Sequence, residues 1–97
     1  VTRSVHRLAE DDLAEAFRFY KREAGPGVAR RFLDEFERMV ALLETLPGIG
    51  TPTSEGRRVI PLADFPYLII YRATERDVRI LVVRHQSRDP EYGESRT

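Results

Sequence analysis

Apolar residues along the chain change their period twice, and those changes divide it into elements. Val5 among alternating polar neighbours predicts a short, weak strand over residues 2–7. From about Ala9 the period becomes helical, with Leu13, Ala16, Phe17, Tyr20 and Ala24 on one face. Glu10, Asp11 and Asp12 stand at the positive end of that helix's dipole. Gly25-Pro26-Gly27 stops the helix, because glycine takes the left-handed conformation that closes a C-terminus. A second helix follows from about Val28 to Leu46, where Val28, Phe32, Phe36, Met39, Val40, Leu43 and Leu46 recur at spacings of three and four. Leu46-Pro47 ends it, and the short link predicts an antiparallel helical hairpin.

The stretch "PGIGTPTSEG" is too rich in Pro, Gly, Ser and Thr for regular structure. Three strand-like runs succeed it: Arg57–Leu62, Tyr67–Ala73 and Val78–His85, separated by "ADFP" and "TERD". These breaks suit hairpins, so the second half reads as an antiparallel meander. The order β-α-α-β-β-β predicts an α+β fold in one domain over 1–97, an antiparallel sheet with the N-terminal helical hairpin packed on one face. Simple alternation in the last strand places Val78, Ile80, Val82 and Arg84 on one side and Arg79, Leu81, Val83 and His85 on the other. Both sets contain apolar residues, which predicts an interior strand covered on both faces. In the strand before it, Tyr67, Ile69 and Tyr71 oppose Leu68, Ile70 and Arg72.

Composition narrows the classes of function. The 97 residues are 41% apolar, with five Phe and four Tyr, enough for a modest two-layer core. There is no cysteine, which removes disulfides, thiolate metal sites and cysteine nucleophiles. A reducing, cytoplasmic setting fits, as does the lack of any membrane-length apolar run or apolar N-terminal signal region. The 16 basic and 16 acidic residues balance to zero, and a pI near 6.9 argues against a general electrostatic DNA binder. Lys21 is the one lysine; every other basic residue is arginine, the better partner for carboxylates and phosphates. A GC-rich genome would give the same bias. Two histidines without cysteine or clustered carboxylates make no metal site, and no Gly-rich phosphate loop opens a helix. No cofactor is expected.

Several stretches in order, "LAEDDLAEAFRFY", "ARRFLDEFERMVALLETLPGIGTP", "RRVIPLADFPYLIIYR" and "VRILVVRHQSRDPEYG", resemble the RelE/ParE superfamily of bacterial toxins, and its ParE-type, plasmid-stabilisation branch in particular. The resemblance spans essentially the whole chain. It implies the toxin of a type II toxin–antitoxin pair, neutralised by a cognate antitoxin that wraps it with a helix and an extended segment. Any operator DNA would be contacted indirectly, through the antitoxin. Two activities occur in the superfamily. ParE-like members act on DNA gyrase without a recognised reaction of their own; RelE-like members cut messenger RNA on the ribosome.

Cleavage by a 2′-hydroxyl needs a proton acceptor, a proton donor and cations around the phosphate. The positions that resemblance assigns to lysines fall on Val59 and Pro61, and the one assigned to arginine falls on Tyr67. The C-terminal cluster is better retained: His85, Arg88 and Tyr92 would serve as acid/base, phosphate clamp, and stacking or proton-transfer group. A gyrase-directed toxin is therefore the expected function, with a ribosome-dependent endoribonuclease as the alternative. Candidate partner-binding residues are Arg58, Arg72, Arg84, His85, Arg88 and Tyr92. Bland alternatives stand beside them: Arg58 and Arg72 as solvated ion pairs with Glu55, Asp64, Glu75 or Asp77, and His85 as a structural histidine bonded to a backbone carbonyl. Tyr20, Tyr67 and Tyr71 read as packing residues, His6 has no assigned role, and Arg30, Arg31, Glu35, Glu37 and Arg38 lie largely on the polar side of the second helix, as a solvated face or an antitoxin-facing rim. Pro90 is expected to end the pairing of the last strand.

Overall fold

The computed structural model describes residues Val1–Thr97. Strand β1 (Thr2–Val5) leads directly into helix α1 (Arg7–Ala24) and helix α2 (Pro26–Thr45). Then come β2 (Thr51–Pro52), one 3-10 turn at Ser54–Gly56, β3 (Arg57–Pro61), β4 (Tyr67–Ala73) and β5 (Asp77–His85). The sheet runs β1-β5-β4-β3-β2. The α+β architecture and the antiparallel β3-β4-β5 meander match expectation. Two features correct it. β1 pairs parallel with β5, Thr2 opposite Asp77 and Val5 opposite Ile80, so the sheet is mixed. Within the irregular link, Thr51 and Pro52 add a short edge strand to β3. β1 is parallel because the helical hairpin leaves the chain at the end of the sheet where β1 finished, and β2, antiparallel to β3, then carries it back, so that β3 and β5 both start where β1 started.

His6 ends β1 and starts α1. Its N–H still reaches the Ile80 carbonyl at 2.8 Å, while its Nδ1 accepts the Leu8 N–H at 3.0 Å. That bond caps one of the four unpaired N–H groups that open a helix, so His6 has a structural task that strand reading missed. Gly25 alone joins the helices, with φ +95°, as C-cap of α1 and N-cap of α2; Pro26 occupies the first turn of α2, where its missing N–H costs nothing.

The core lies between the hairpin and one sheet face. Phe32, Phe36, Val40 and Leu43 from α2 meet Ile69, Tyr71, Val78, Ile80 and Val83. Tyr20, Phe32, Phe65 and Tyr67 form an aromatic cluster with ring centroids 5.1–6.0 Å apart, which establishes Tyr20 and Tyr67 as packing groups. Glu35 departs from the polar-face expectation. It is buried, accepts the Ala63 N–H at 2.7 Å and holds Arg38 through both oxygens, fastening the β3–β4 turn to α2.

β5 does not alternate simply. Ile70 faces Val82 but Tyr71 faces Ile80, so Leu81 is an extra, bulged residue. Past the bulge the two faces exchange parity, and the core side carries Val78, Ile80 and Val83 while Val82 packs away from the helices against Gly93. His85 follows Val83 onto the helix side and meets the Tyr67 ring edge-on at 5.3 Å. The far face is covered by residues 86–97, a run of turns returning across β5. β5 is thus interior and covered on both faces, as expected. Its pairing stops at His85, ahead of Pro90, because the Arg88 N–H turns back to the His85 carbonyl. No helix is long and apolar enough to cross a membrane.

Candidate functional site

β1 runs out before β5 does. Its last partner is Ile80, and from Leu81 onward that edge of β5 has no strand beside it. An unpaired buried strand edge carries an unsatisfied donor and acceptor, each costly without a partner. Two charged side chains fill the gap: the Val83 N–H donates to Asp12 Oδ2 at 3.1 Å, and Arg96 Nη1 donates to the Leu81 carbonyl at 3.0 Å. Arg96 and Asp12 are themselves paired at 2.6 Å, both almost fully buried. The Tyr92 hydroxyl makes a short hydrogen bond to Asp12 Oδ1. One carboxylate therefore joins α1, the β5 edge and two points of the C-terminal segment.

The electrostatics follow from this arrangement. Burial raises the Tyr92 phenol above its ordinary pKa, and the bond to Asp12 adds to the rise. Burial alone would lower Arg96, but its bonds to Asp12 and Tyr92 outweigh that and raise it. The cations at 4.0 Å (Arg88) and 4.8 Å (Arg96) from the Tyr92 ring centroid further fix the phenol in place.

Beside this hub opens a cleft of about 120 Å³, lined by Glu15, Phe19, Tyr67, Arg84, His85 and Arg88 together with Asp12 and Tyr92. Four expected site residues, Arg84, His85, Arg88 and Tyr92, thus meet at one corner of the molecule. His85 Nδ1 accepts the Ser87 N–H at 3.0 Å and lies 2.8 Å from Ser87 Oγ, leaving Nε2 to carry the proton of the neutral ring. The histidine's bonding partner is thus a neighbouring serine, where a backbone carbonyl was the bland expectation. Arg84 reaches the carbonyls of His85 and Arg88, and its Nε is buried without a partner. Neither Arg84 nor Arg88 is in an ion pair with a carboxylate.

Arg58 and Arg72 stand elsewhere. Arg58 donates to the carbonyls of Gly48 and Gly50, and Arg72 to the carbonyl of Glu55. Both bind backbone oxygens of the α2–β3 connection, where side-chain ion pairs were the bland expectation. Asp12, Arg96 and Arg57 escaped the sequence reading. Asp12 did carry a signal: with Ala9 and Ala16 it completes a three-and-four-spaced stripe that is buried throughout. Arg57 and Arg96 had none, since the carbonyls that Arg57 binds, and the Asp12 carboxylate and Leu81 carbonyl that Arg96 binds, are brought close only by the return of residues 86–97.

No group of His, Cys, Asp and Glu side chains is clustered for a metal ion. A family model described as the ParE toxin of the type II toxin–antitoxin system parDE matches residues 4–90. Toxin ParE2 of Mycobacterium tuberculosis (strain CDC 1551 / Oshkosh) is 34% identical over 87 residues, covering 89% of this chain and 82% of that protein. Toxin ParE2 of strain ATCC 25618 / H37Rv gives the same figures. A chain from the structure of the chromosomal ParDE TA system of P. aeruginosa superposes with a TM-score of 0.78 over 88% of this chain and 95% of that one. At 23% identity, that likeness is one of fold.

Proposed function

This chain belongs to the ParE toxin family of type II toxin–antitoxin systems, and from that premise we propose that it arrests growth by binding DNA gyrase and is neutralised by a cognate antitoxin. The observation that carries this reading is the commitment of the would-be catalytic groups. The Tyr92 hydroxyl is given to Asp12 and its pKa is raised by burial, so it is a poor proton donor to an outside substrate. His85 Nδ1 is engaged by Ser87. Val59, Pro61 and Tyr67 supply no cation where a ribonuclease of the superfamily would hold lysines and an arginine. What the corner offers is Arg84 and Arg88, unpaired with carboxylates and set among Phe19, Tyr67 and Tyr92, a chemistry suited to a protein partner.

A second reading, an mRNA endoribonuclease, draws on the convergence of His85, Arg88 and Tyr92 on one cleft. Purified gyrase with relaxed plasmid separates the two. On the gyrase reading, added toxin abolishes supercoiling and accumulates cleaved DNA, cells induced without antitoxin mount a DNA-damage response, and His85→Ala keeps toxicity. Unimpaired supercoiling under a large molar excess of toxin, with rapid arrest of translation in cells and loss of toxicity in His85→Ala, would replace it with the ribonuclease.

A further inference from the structure

Two side-chain donors in the chain are buried without an acceptor, Arg57 Nε and Arg84 Nε. Both residues line one cleft of about 290 Å³ on the face of the sheet away from the helices. Register brings them together. Arg57 and Val59 alternate onto that face of β3, Val59 lies opposite Ile70, and Ile70 lies opposite Val82, two residues before Arg84. Val59 and Ile70 are half-buried and give the cleft an apolar floor, while Glu91 and Glu94 reach it from the C-terminal segment.

Each guanidinium is held in place through its other nitrogens. Arg57 Nη2 donates to the carbonyls of Gly93, Glu94 and Arg96 at 3.3, 2.6 and 2.6 Å, and Arg84 Nη1 to those of His85 and Arg88, both at 3.3 Å. Arg57 is only 6% exposed, so these bonds and the surrounding chain fix its plane. A buried N–H is costly until an acceptor reaches it, and an anionic acceptor suits a guanidinium better than a neutral one. The rim carboxylates do not play that part. Neither Glu91 nor Glu94 is in an ion pair, and neither Arg57 nor Arg84 is. One cleft thus gathers two charges of each sign, none of them paired. A solvated rim accounts for two exposed glutamates, but it does not account for two buried donors left without an oxygen.

We infer that this cleft binds a small zwitterion of the α-amino acid class, its carboxylate on the Nε–H groups of Arg57 and Arg84, its ammonium toward Glu91 and Glu94, and its side chain on Val59 and Ile70. A carboxylate has two oxygens, so it accepts from both guanidiniums at once. The glutamates select against a nucleic-acid backbone, which brings only negative charge, and against a simple carboxylic acid. The arginines select in the same way against a simple amine. The volume lies just below the range of roughly 300–1,000 Å³ that holds drug-sized ligands, which suits a metabolite of amino-acid size. The C-terminal segment keeps its place throughout, because its carbonyls are what orient Arg57. This cleft shares only Arg84 with the corner that carries His85, so the inference goes beyond the gyrase reading and holds whatever the target of that corner.

L-Leucine is the probe, with isopentylamine and isocaproate as the versions that lack its carboxylate and its ammonium. The Nε–H resonances of Arg57 and Arg84 report occupancy directly, since buried N–H protons exchange slowly. Leucine should shift both resonances in the intact chain, and each analogue should need at least about tenfold higher concentration to do so. Arg84→Lys keeps a cation but loses the Nε–H, and should weaken leucine about tenfold to a hundredfold. Glu91→Gln combined with Glu94→Gln, both at exposed positions, should weaken it about threefold to tenfold and remove the preference over isocaproate. Equal binding of leucine and either analogue would overturn the zwitterion. Inorganic phosphate or a short RNA shifting the same resonances at lower concentration than leucine would overturn the assigned class. If leucine shifts neither resonance, water alone serves the two donors and the inference falls.

Discussion

Tyr71 is wholly buried, yet its hydroxyl is doubly used: it donates to the Pro47 carbonyl at 2.7 Å and accepts the Gly50 N–H at 2.9 Å. These bonds hold the connection after α2 against the sheet, where Arg58 also grips Gly48 and Gly50. Tyr71→Phe keeps the ring and removes both bonds. Pro47 is half-buried and regains water, but Gly50 is buried and its N–H is stranded. A stranded buried donor costs about 1–3 kcal/mol, and the partly compensated carbonyl adds a smaller amount, giving about 2–3 kcal/mol in all. For a domain of this size that is a fall of roughly 10–20 °C in Tm. Urea unfolding followed by circular dichroism reads it directly, with the m-value expected to stay constant. Gly50→Ala attacks the same lock from the other side, because an added Cβ would lie 2.5 Å from the Tyr71 hydroxyl. Removing that oxygen takes away the closest contact, leaving ring carbons at 2.8 and 3.0 Å, and both variants lose the same Gly50–Tyr71 bond, so the double variant should lose less than the sum of the singles. A Tyr71→Phe loss below about 0.5 kcal/mol, or strict additivity with Gly50→Ala, would refute the assignment of the lock.

His6 must keep Nδ1 unprotonated to cap α1, and burial, then the charges of Arg79, Arg96 and Arg7, lower its pKa in the fold. The unfolded chain therefore takes up the proton first: the cap's contribution is complete above a pH of about 6.5 and shrinks as pH falls toward the folded pKa. Wild-type Tm should fall more steeply between neutral pH and about pH 5 than that of His6→Asn, which keeps a capping acceptor that does not titrate; parallel Tm–pH curves would show the histidine is not the cause. Glu35→Ala removes the acceptor of the Ala63 N–H, which is exposed enough to regain water, and should cost about 0.5–1.5 kcal/mol in urea melts, with Glu35→Gln recovering part of it because the amide oxygen can still accept. Arg38, largely exposed, adds little to either figure.

The hairpin, the meander and the aromatic core were legible because each rests on local periodicity: α2 repeats apolar residues at helical spacing, and Tyr67, Ile69 and Tyr71 alternate over one face. The parallel seat of β1 was not, since nothing in residues 2–7 names a partner more than seventy positions away. The bulge at Leu81 defeated the alternation of β5 because an extra residue leaves no mark in an apolar run. The convergence of Arg84, His85, Arg88 and Tyr92 was anticipated from their nearness in sequence. Asp12 was read with Glu10 and Asp11 as an acid at the positive end of the helix dipole. Its burial depends on Arg96 arriving from the far end of the chain, a contact no local pattern encodes.

The pairing of β1 with β5 also sets when this fold can close. Thr2 waits for Asp77, and Asp12 for Arg96, so β1 is without its partner until residues more than seventy positions further on have left the ribosome. Contacts this distant along the chain slow folding, and the meander must form before the N-terminus has an edge to join. The corner bearing Arg84, His85 and Arg88 leans on α1 through Asp12 and Ala16. A chain made only as far as β4 has no such corner, which couples the onset of any activity there to the emergence of residues 84–96.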